Sequence, residues 1–144
     1  MVFSPRPSMD RHHGLVVIAL AGLLGSPAAA QKRPYDLLMK DVGSTFDGLR
    51  KDLDGGNVAT AAADAARLER LFRDIEDFWT PFKTRDAIDA AKGAREASAA
   101  VAAAAKGNDL PKARTAVSGL GRFCAACHNS HREQMPDKSY RIKP

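Results

Sequence analysis

The chain has 144 residues and a formal net charge of +5. Its basic and acidic side chains are interspersed, with no run of five like charges, so the charge pattern does not indicate a nucleic-acid-binding protein. The length suits a single domain, and we expect no nucleic-acid partner.

The N-terminal part of the chain has the features of a cleaved secretory signal peptide, which we place at residues 1–30. Two arginines precede an apolar run at positions 14–25, and Ala28 and Ala30 complete an A-x-A cleavage pattern. The run has twelve residues, whereas a membrane-spanning helix needs about 20. We therefore expect export to the periplasm, no membrane span, and a mature domain at residues 31–144.

Apolar residues at helical spacing predict two helices in the first half of that domain. The first helix covers residues 34–53 and ends at residues 54–57, where two adjacent glycines disfavour a helix and Asn57 suits an N-cap. Its apolar positions are Leu38, Val42, Phe46, Leu49 and Leu53. The second helix has a more regular seam, formed by Val58, Ala61, Ala65, Leu68, Phe72, Ile75 and Trp79.

Two further helices follow a break at Pro81. The third covers residues 86–106, is rich in alanine, and ends at Gly107. Asp109 suits the N-cap of the fourth, whose apolar face carries Ala113, Val117, Leu120, Cys124, Cys127 and His131. No stretch shows the alternation of a strand. The chain is therefore predicted to be all-α, an antiparallel four-helix bundle whose alanines leave space for a large flat prosthetic group.

The sequence CAACH contains both cysteines of the chain, Cys124 and Cys127, followed directly by His128. These residues occupy positions i, i+3 and i+4 of the fourth helix, so they share one face. Two thiols at this spacing suit thioether bonds to the two vinyl groups of a porphyrin, with the adjacent imidazole beneath the iron. C-x-x-C-H is the signature of c-type haem attachment.

Three other roles fit these residues less well. A zinc site made of Cys124, Cys127, His128 and His131 would draw four ligands from about 10 Å of one helix face, too far apart for a common ion. A redox dithiol normally stands at a helix N-terminus near a βαβ unit, whereas these cysteines come late in a helix. A disulfide would close a very short loop and would stabilise the fold little.

The mature chain as a whole resembles the cytochrome c′-type (class II) c-type cytochromes. Four helices, export, and a C-terminal C-x-x-C-H followed by Arg132 carry the resemblance. The M-K-x-x-G pattern of Met39, Lys40 and Gly43 is similar to the low-spin branch of the family, in which a methionine of the first helix binds the iron.

The resemblance implies one covalent haem c, attached at Cys124 and Cys127, with His128 and Met39 as the iron ligands. It implies a one-electron carrier rather than an enzyme, with a redox partner protein, and either a monomer or a homodimer. The alternative is the high-spin branch, in which an apolar residue such as Leu38 covers an open iron site that binds nitric oxide or carbon monoxide.

A few residues near the expected haem have less specific roles. The family often has arginine four residues before the methionine, and this chain has Tyr35 there, so we expect Tyr35 or Arg33 near a haem propionate. We expect Arg132 either at the proximal face of the haem or in solvent. His131 is predicted to be a surface or propionate-side group, and Trp79 to pack in the core.

Overall fold

The computed structural model describes residues 34–143, and the predicted signal peptide at residues 1–30 lies outside this range. Four helices dominate the described chain, namely α1 (Tyr35–Asp54), α2 (Val58–Trp79), α3 (Arg85–Lys106) and α4 (Leu110–His131). Consecutive helices pack against each other, which confirms the predicted all-α four-helix bundle. None of the helices in this part of the chain combines the length and apolar character that crossing a bilayer requires.

The helix boundaries lie close to the predicted ones, although only one of the two predicted N-caps forms its bond. Gly56 adopts a φ of 73°, which glycine tolerates without cost, and ends the turn after α1. Asn57 stands at the N-cap of α2, but its side chain donates to the Asp52 carboxylate at 3.4 Å instead of capping the helix. Asp109 caps α4 as predicted, since its Oδ1 accepts from the backbone N–H of Lys112 at 3.0 Å.

The predicted apolar seams of the helices form the core. Every seam residue of α2 after Val58 is buried, from Ala61 to Trp79. The buried face of α3 is built mostly from small side chains, namely Ala87, Ala90, Ala91, Ala94, Ser98, Val101, Ala102, Ala104 and Ala105. Helices α1 and α4 make few contacts with each other, whereas the consecutive pairs pack closely. The small side chains and the sparse α1–α4 contact leave space inside the bundle.

The C-terminal segment contains a short hairpin, so the prediction that the chain has no strand is wrong. Strands β1 (Arg132–Gln134) and β2 (Tyr140–Ile142) pair antiparallel, with Glu133 opposite Arg141. The turn between them is closed by the backbone N–H of Met135, which donates to the carbonyl of Ser139 at 2.9 Å. Each strand has three residues, which is too short for alternating apolar and polar positions to be visible in the sequence.

Candidate functional site

A cavity of about 880 Å³ lies within the bundle, and all four helices contribute to its wall. Its floor is apolar, with Phe46, Phe72, Ile75 and Trp79 from α1 and α2, and with Ala90, Ala91 and Ala94 from α3. This volume is within the range of about 300–1,000 Å³ that is typical of ligand and cofactor sites. The alanines of α3 line this cavity, as the composition of that helix led us to expect.

The two cysteine thiols of α4 face this cavity. Cys124 and Cys127 both line it, both are partly buried, and no disulfide joins them. Burial raises the pKa of both thiols above the usual value, and the negative charge of Asp86 raises the pKa of Cys127 further. Both thiols are therefore protonated at neutral pH and accessible to a molecule that occupies the cavity.

His128 follows the cysteines on the same face of α4 and also lines the cavity. Its ring is half-buried, and neither ring nitrogen has a hydrogen-bond partner among residues 34–143. Burial lowers the pKa of His128, and the nearby positive charge of Arg132 lowers it further. The neutral imidazole is the form that binds metals, so His128 presents a free nitrogen in the ligating state to the cavity.

Met39 reaches the cavity from α1, whereas its neighbour Leu38 does not. Met39 is partly buried and belongs to the cavity wall. Leu38 is 3% exposed, packs in the core and is not part of the cavity wall. The described bundle therefore presents the Met39 thioether, and not the Leu38 side chain, to the cavity.

Two glycines widen the cavity towards α1 and α4. Gly43 and Gly121 both line it, and a Cβ added to either would meet no heavy atom within 4 Å. A side chain at these positions would project into the cavity and reduce its width. Glycine at both positions therefore leaves the cavity free for a large ligand.

A hydrogen-bonded aromatic pair, Tyr35 and Trp79, forms part of the cavity wall. Trp79 is 1% exposed and donates its indole N–H to the Tyr35 hydroxyl at 3.0 Å. Burial is the main cause that raises the pKa of Tyr35, to about 12. The Tyr35 hydroxyl accepts the hydrogen bond from Trp79. Its own O–H proton has no acceptor among the described residues. That proton remains available to an acceptor in the cavity.

The prediction that His131 is a surface group is wrong, and its alternative, a position beside a haem propionate, stays a prediction. Its side chain is 9% exposed, and its ring centroid lies 5.0 Å from that of Trp79. Its Nδ1 lies 2.9 Å from the carbonyl oxygen of Lys143, and its Nε2 lies 2.9 Å from the Asp86 carboxylate. Helical spacing correctly put His131 on the cavity face, but the chain segments that cover it come from α3 and from the C-terminus.

Arg132 and the hairpin complete the wall near His128. The Arg132 guanidinium lies 4.2 Å from the centroid of the Tyr140 ring, a cation–π contact. Tyr140, Arg141 and Ile142 also line the cavity, and sequence reasoning missed all three. No signal in the sequence identifies them, because their position depends on a hairpin of two very short strands.

The described side chains do not form a site in which protein groups alone would hold a metal ion. Among residues 34–143, no three His, Cys, Asp or Glu side chains form a cluster that could hold a metal ion. Haem iron is held mainly by the porphyrin, so the protein needs to supply axial ligands only. His128 and Met39, on two helices that line one cavity, are suited to that smaller requirement.

Comparisons with known proteins found no significant match to this chain. No family model matches the chain, and neither the curated proteins nor the solved structures contain a significant match. Function is therefore inferred from the cavity and from the residues that line it.

Proposed function

We propose that the chain is an exported c-type cytochrome that carries one electron, with a single haem c bound in the bundle cavity. Cys124 and Cys127 attach the haem, and His128 and Met39 bind its iron. One observation supports this most strongly: all four side chains, from two different helices, line the same apolar cavity of about 880 Å³. The expected signal peptide is consistent with maturation in the periplasm, where c-type haem attachment takes place.

Each of the four residues has a distinct role in this proposal. The Cys124 and Cys127 thiols hold the cofactor through two thioether bonds and prevent its loss. His128 supplies a neutral imidazole nitrogen, the state that its lowered pKa favours. Met39 supplies a thioether sulfur, which stabilises the reduced metal more than a second imidazole would.

The residues around the site keep water away from the haem and so influence which oxidation state of the iron is favoured. When bound, the haem supplies one-electron exchange between ferric and ferrous iron. The apolar wall of Phe46, Phe72, Ile75 and Trp79 keeps water away from the cavity, which disfavours the more highly charged oxidised form. A partner protein would donate or accept the electron, and the chain would work either as a monomer or as a homodimer.

An absorption spectrum of the purified mature protein tests the proposal, recorded in the ferric and ferrous states before and after carbon monoxide. We expect a low-spin spectrum that carbon monoxide does not change. A high-spin spectrum that shifts with carbon monoxide would instead favour the gas-binding alternative. Absence of haem from protein made in a strain with working cytochrome c maturation would overturn both readings.

The Met39→Ala variant tests the sixth ligand, with Met135→Ala as its matched control. Met135 lies in the hairpin turn and does not line the cavity. We expect Met39→Ala to become high-spin and reactive with carbon monoxide, because the thioether is removed, and Met135→Ala to keep the native spectrum. An unchanged spectrum in Met39→Ala would show that Met39 is not a ligand.

A further inference from the structure

The C-terminal segment folds back from the end of α4 and covers part of the cavity. Five residues of this segment line the cavity wall, namely Arg132, Ser139, Tyr140, Arg141 and Ile142. The hairpin begins directly after His131, so the chain reverses next to the motif that contains His128. Four helices and this hairpin therefore contribute to the cavity wall.

His131 connects the C-terminal hairpin to the bundle through both nitrogens of its ring and through its backbone carbonyl. The Nδ1 atom bonds the carbonyl oxygen of Lys143, and the backbone N–H of Lys143 donates to the carbonyl of His131 at 2.9 Å. On the other side of the ring, Nε2 bonds the Asp86 carboxylate at the start of α3. The hydrogen bond from His131 is the largest cause that lowers the pKa of Asp86. The Lys143 carbonyl and the Asp86 carboxylate are both acceptors, so the two bonds together require an N–H on each ring nitrogen of His131. In that state a single imidazole joins α3, α4 and the residue that follows β2.

Few other contacts hold the hairpin against the bundle. Within residues 132–143, Ile142 is the hydrophobic side chain that packs against the core. The Arg141–Glu133 ion pair at 2.8 Å and the Arg132–Tyr140 contact lie within the hairpin, so they stabilise its shape without attaching it. An isolated two-stranded hairpin is marginally stable in water. The contacts of His131 therefore decide how much of the time the hairpin is closed.

We propose that residues 132–143 form a cap over the cavity, that the His131–Asp86 and His131–Lys143 contacts are its latch, and that the cap controls which molecules reach the cavity. With the latch closed, the hairpin separates the cavity residues from solvent on this side. With the latch broken, the hairpin moves away as a unit about the end of α4, and water and small solutes enter. This inference rests on the position of the hairpin and does not require a haem, so it can fail or succeed independently of the proposed function.

Trp79 provides a reporter inside the covered region. It is the only tryptophan of the chain, it lines the cavity, and its ring contacts that of His131. Hydrogen exchange is measured by NMR on the full mature protein, both as isolated and in the reduced state. Two N–H groups report on the proposal. The Lys143 amide reports on the latch, and the Trp79 indole N–H reports on water in the cavity.

The variants are Asp86→Asn and His131→Gln, with Asp89→Asn as the matched control. Asp89 is an exposed aspartate of the same helix and forms none of the latch contacts. Asp86 is itself 65% exposed, so its substitution does not disturb the core. We expect both latch variants to accelerate exchange at the Lys143 amide and at the Trp79 indole by about fivefold or more, the factor for one net hydrogen bond. The buried amides of α2 and α3 should keep their rates.

Three outcomes would overturn the proposal. Rates in Asp86→Asn and His131→Gln that equal those of Asp89→Asn would show that His131 is no latch. Faster exchange at Lys143 without faster exchange at Trp79 would show that the hairpin does not cover the cavity. Equal acceleration in the helical core would show that the substitutions weaken the whole fold instead of opening a cap.

Discussion

The indole N–H of Trp79 donates a 3.0 Å hydrogen bond to the hydroxyl of Tyr35 and so joins the end of α2 to the first turn of α1. The two rings are nearly perpendicular, with centroids 6.0 Å apart, and Phe78 packs on Tyr35 at 4.2 Å. Since α1 carries Met39 one turn later, this bond fixes the position of α1 at the cavity. It is a long-range contact that holds the candidate ligand in place.

Tyr35→Phe should destabilise the fold by about 1–3 kcal/mol, because the buried Trp79 indole loses its acceptor. The measurement is the free energy of unfolding from urea titrations. Tyr140→Phe is the control, since the Tyr140 ring is 54% exposed and its hydroxyl accepts only from Gln134 at 3.3 Å. The control should change stability by no more than about 0.5 kcal/mol. Equal stability of the two variants would contradict this role for Tyr35.

The raised pKa of Tyr35 predicts a loss of stability at alkaline pH. Burial raises the pKa from 10.0 to about 12 in the folded chain. The folded pKa lies above the unfolded one, so the stability that the neutral Tyr35 hydroxyl contributes is complete below pH 10. It disappears as the pH rises towards 12. The loss attributable to Tyr35 is at most about 3 kcal/mol, since one pKa unit corresponds to about 1.4 kcal/mol. Unfolding free energies of wild type and Tyr35→Phe, compared across this range, should converge as the pH rises.

Gly43→Leu should block haem incorporation without unfolding α1. A Cβ at Gly43 meets no atom within 4 Å, so a leucine is tolerated locally and projects into the cavity. Gly119→Leu is the matched control, because Gly119 is a helical glycine of α4 that does not line the cavity. Haem content per chain should fall in the first variant and stay unchanged in the second, with circular dichroism showing helical protein in both. Normal haem content in Gly43→Leu would mean that no cofactor occupies this space.

The thiols of the chain made without haem should react slowly with alkylating reagents. Burial raises the pKa of Cys124 and Cys127, and the thiolate is the reactive form, so the urea-unfolded chain should react several-fold faster at the same pH. Asp86→Asn should accelerate alkylation of Cys127 more than that of Cys124, because an opened cap exposes both thiols whereas the Asp86 charge raises the pKa of Cys127 alone. Cys124 is the internal control, and mass spectrometry of peptides distinguishes the two sites. Equal acceleration at both thiols would speak against an electrostatic cause.

Acidification should weaken the attachment of the C-terminal hairpin. The hydrogen bond from His131 lowers the pKa of Asp86 below its ordinary value of 3.8. The stability that the ionised Asp86 contributes to this contact is therefore present above pH 3.8, and it is lost as the pH falls through the folded pKa. Exchange of the Lys143 amide, corrected for its intrinsic pH dependence, should accelerate below about pH 4 in wild type. Asp86→Asn should show no such acid step. A step of equal size in that variant would assign the effect to another carboxyl group.

Local sequence features predicted the fold and the four candidate haem residues. The seam of α2 was predictable because a helix repeats every 3.6 residues, so spacing alone identifies the buried face. The same reasoning placed Cys124, Cys127 and His128 on one face of α4. The apolar spacing of α1 selected Leu38, and Met39 was indicated only by the resemblance of the M-K-x-x-G pattern to a cytochrome family. Asp109 was a reliable N-cap because its bond to Lys112 spans three residues.

Tertiary structure alone decided what surrounds these residues. The His131–Asp86 contact joins residues 45 positions apart, and the Trp79–Tyr35 bond joins residues 44 apart. Contacts of this range depend on how whole helices pack, which no local pattern encodes. The hairpin escaped prediction for the same reason, because its strands have too few residues to show a period. Spacing thus determined which residues share a face. Packing determined that His131 is only slightly exposed, that Leu38 does not line the cavity, and that residues of the C-terminal segment do.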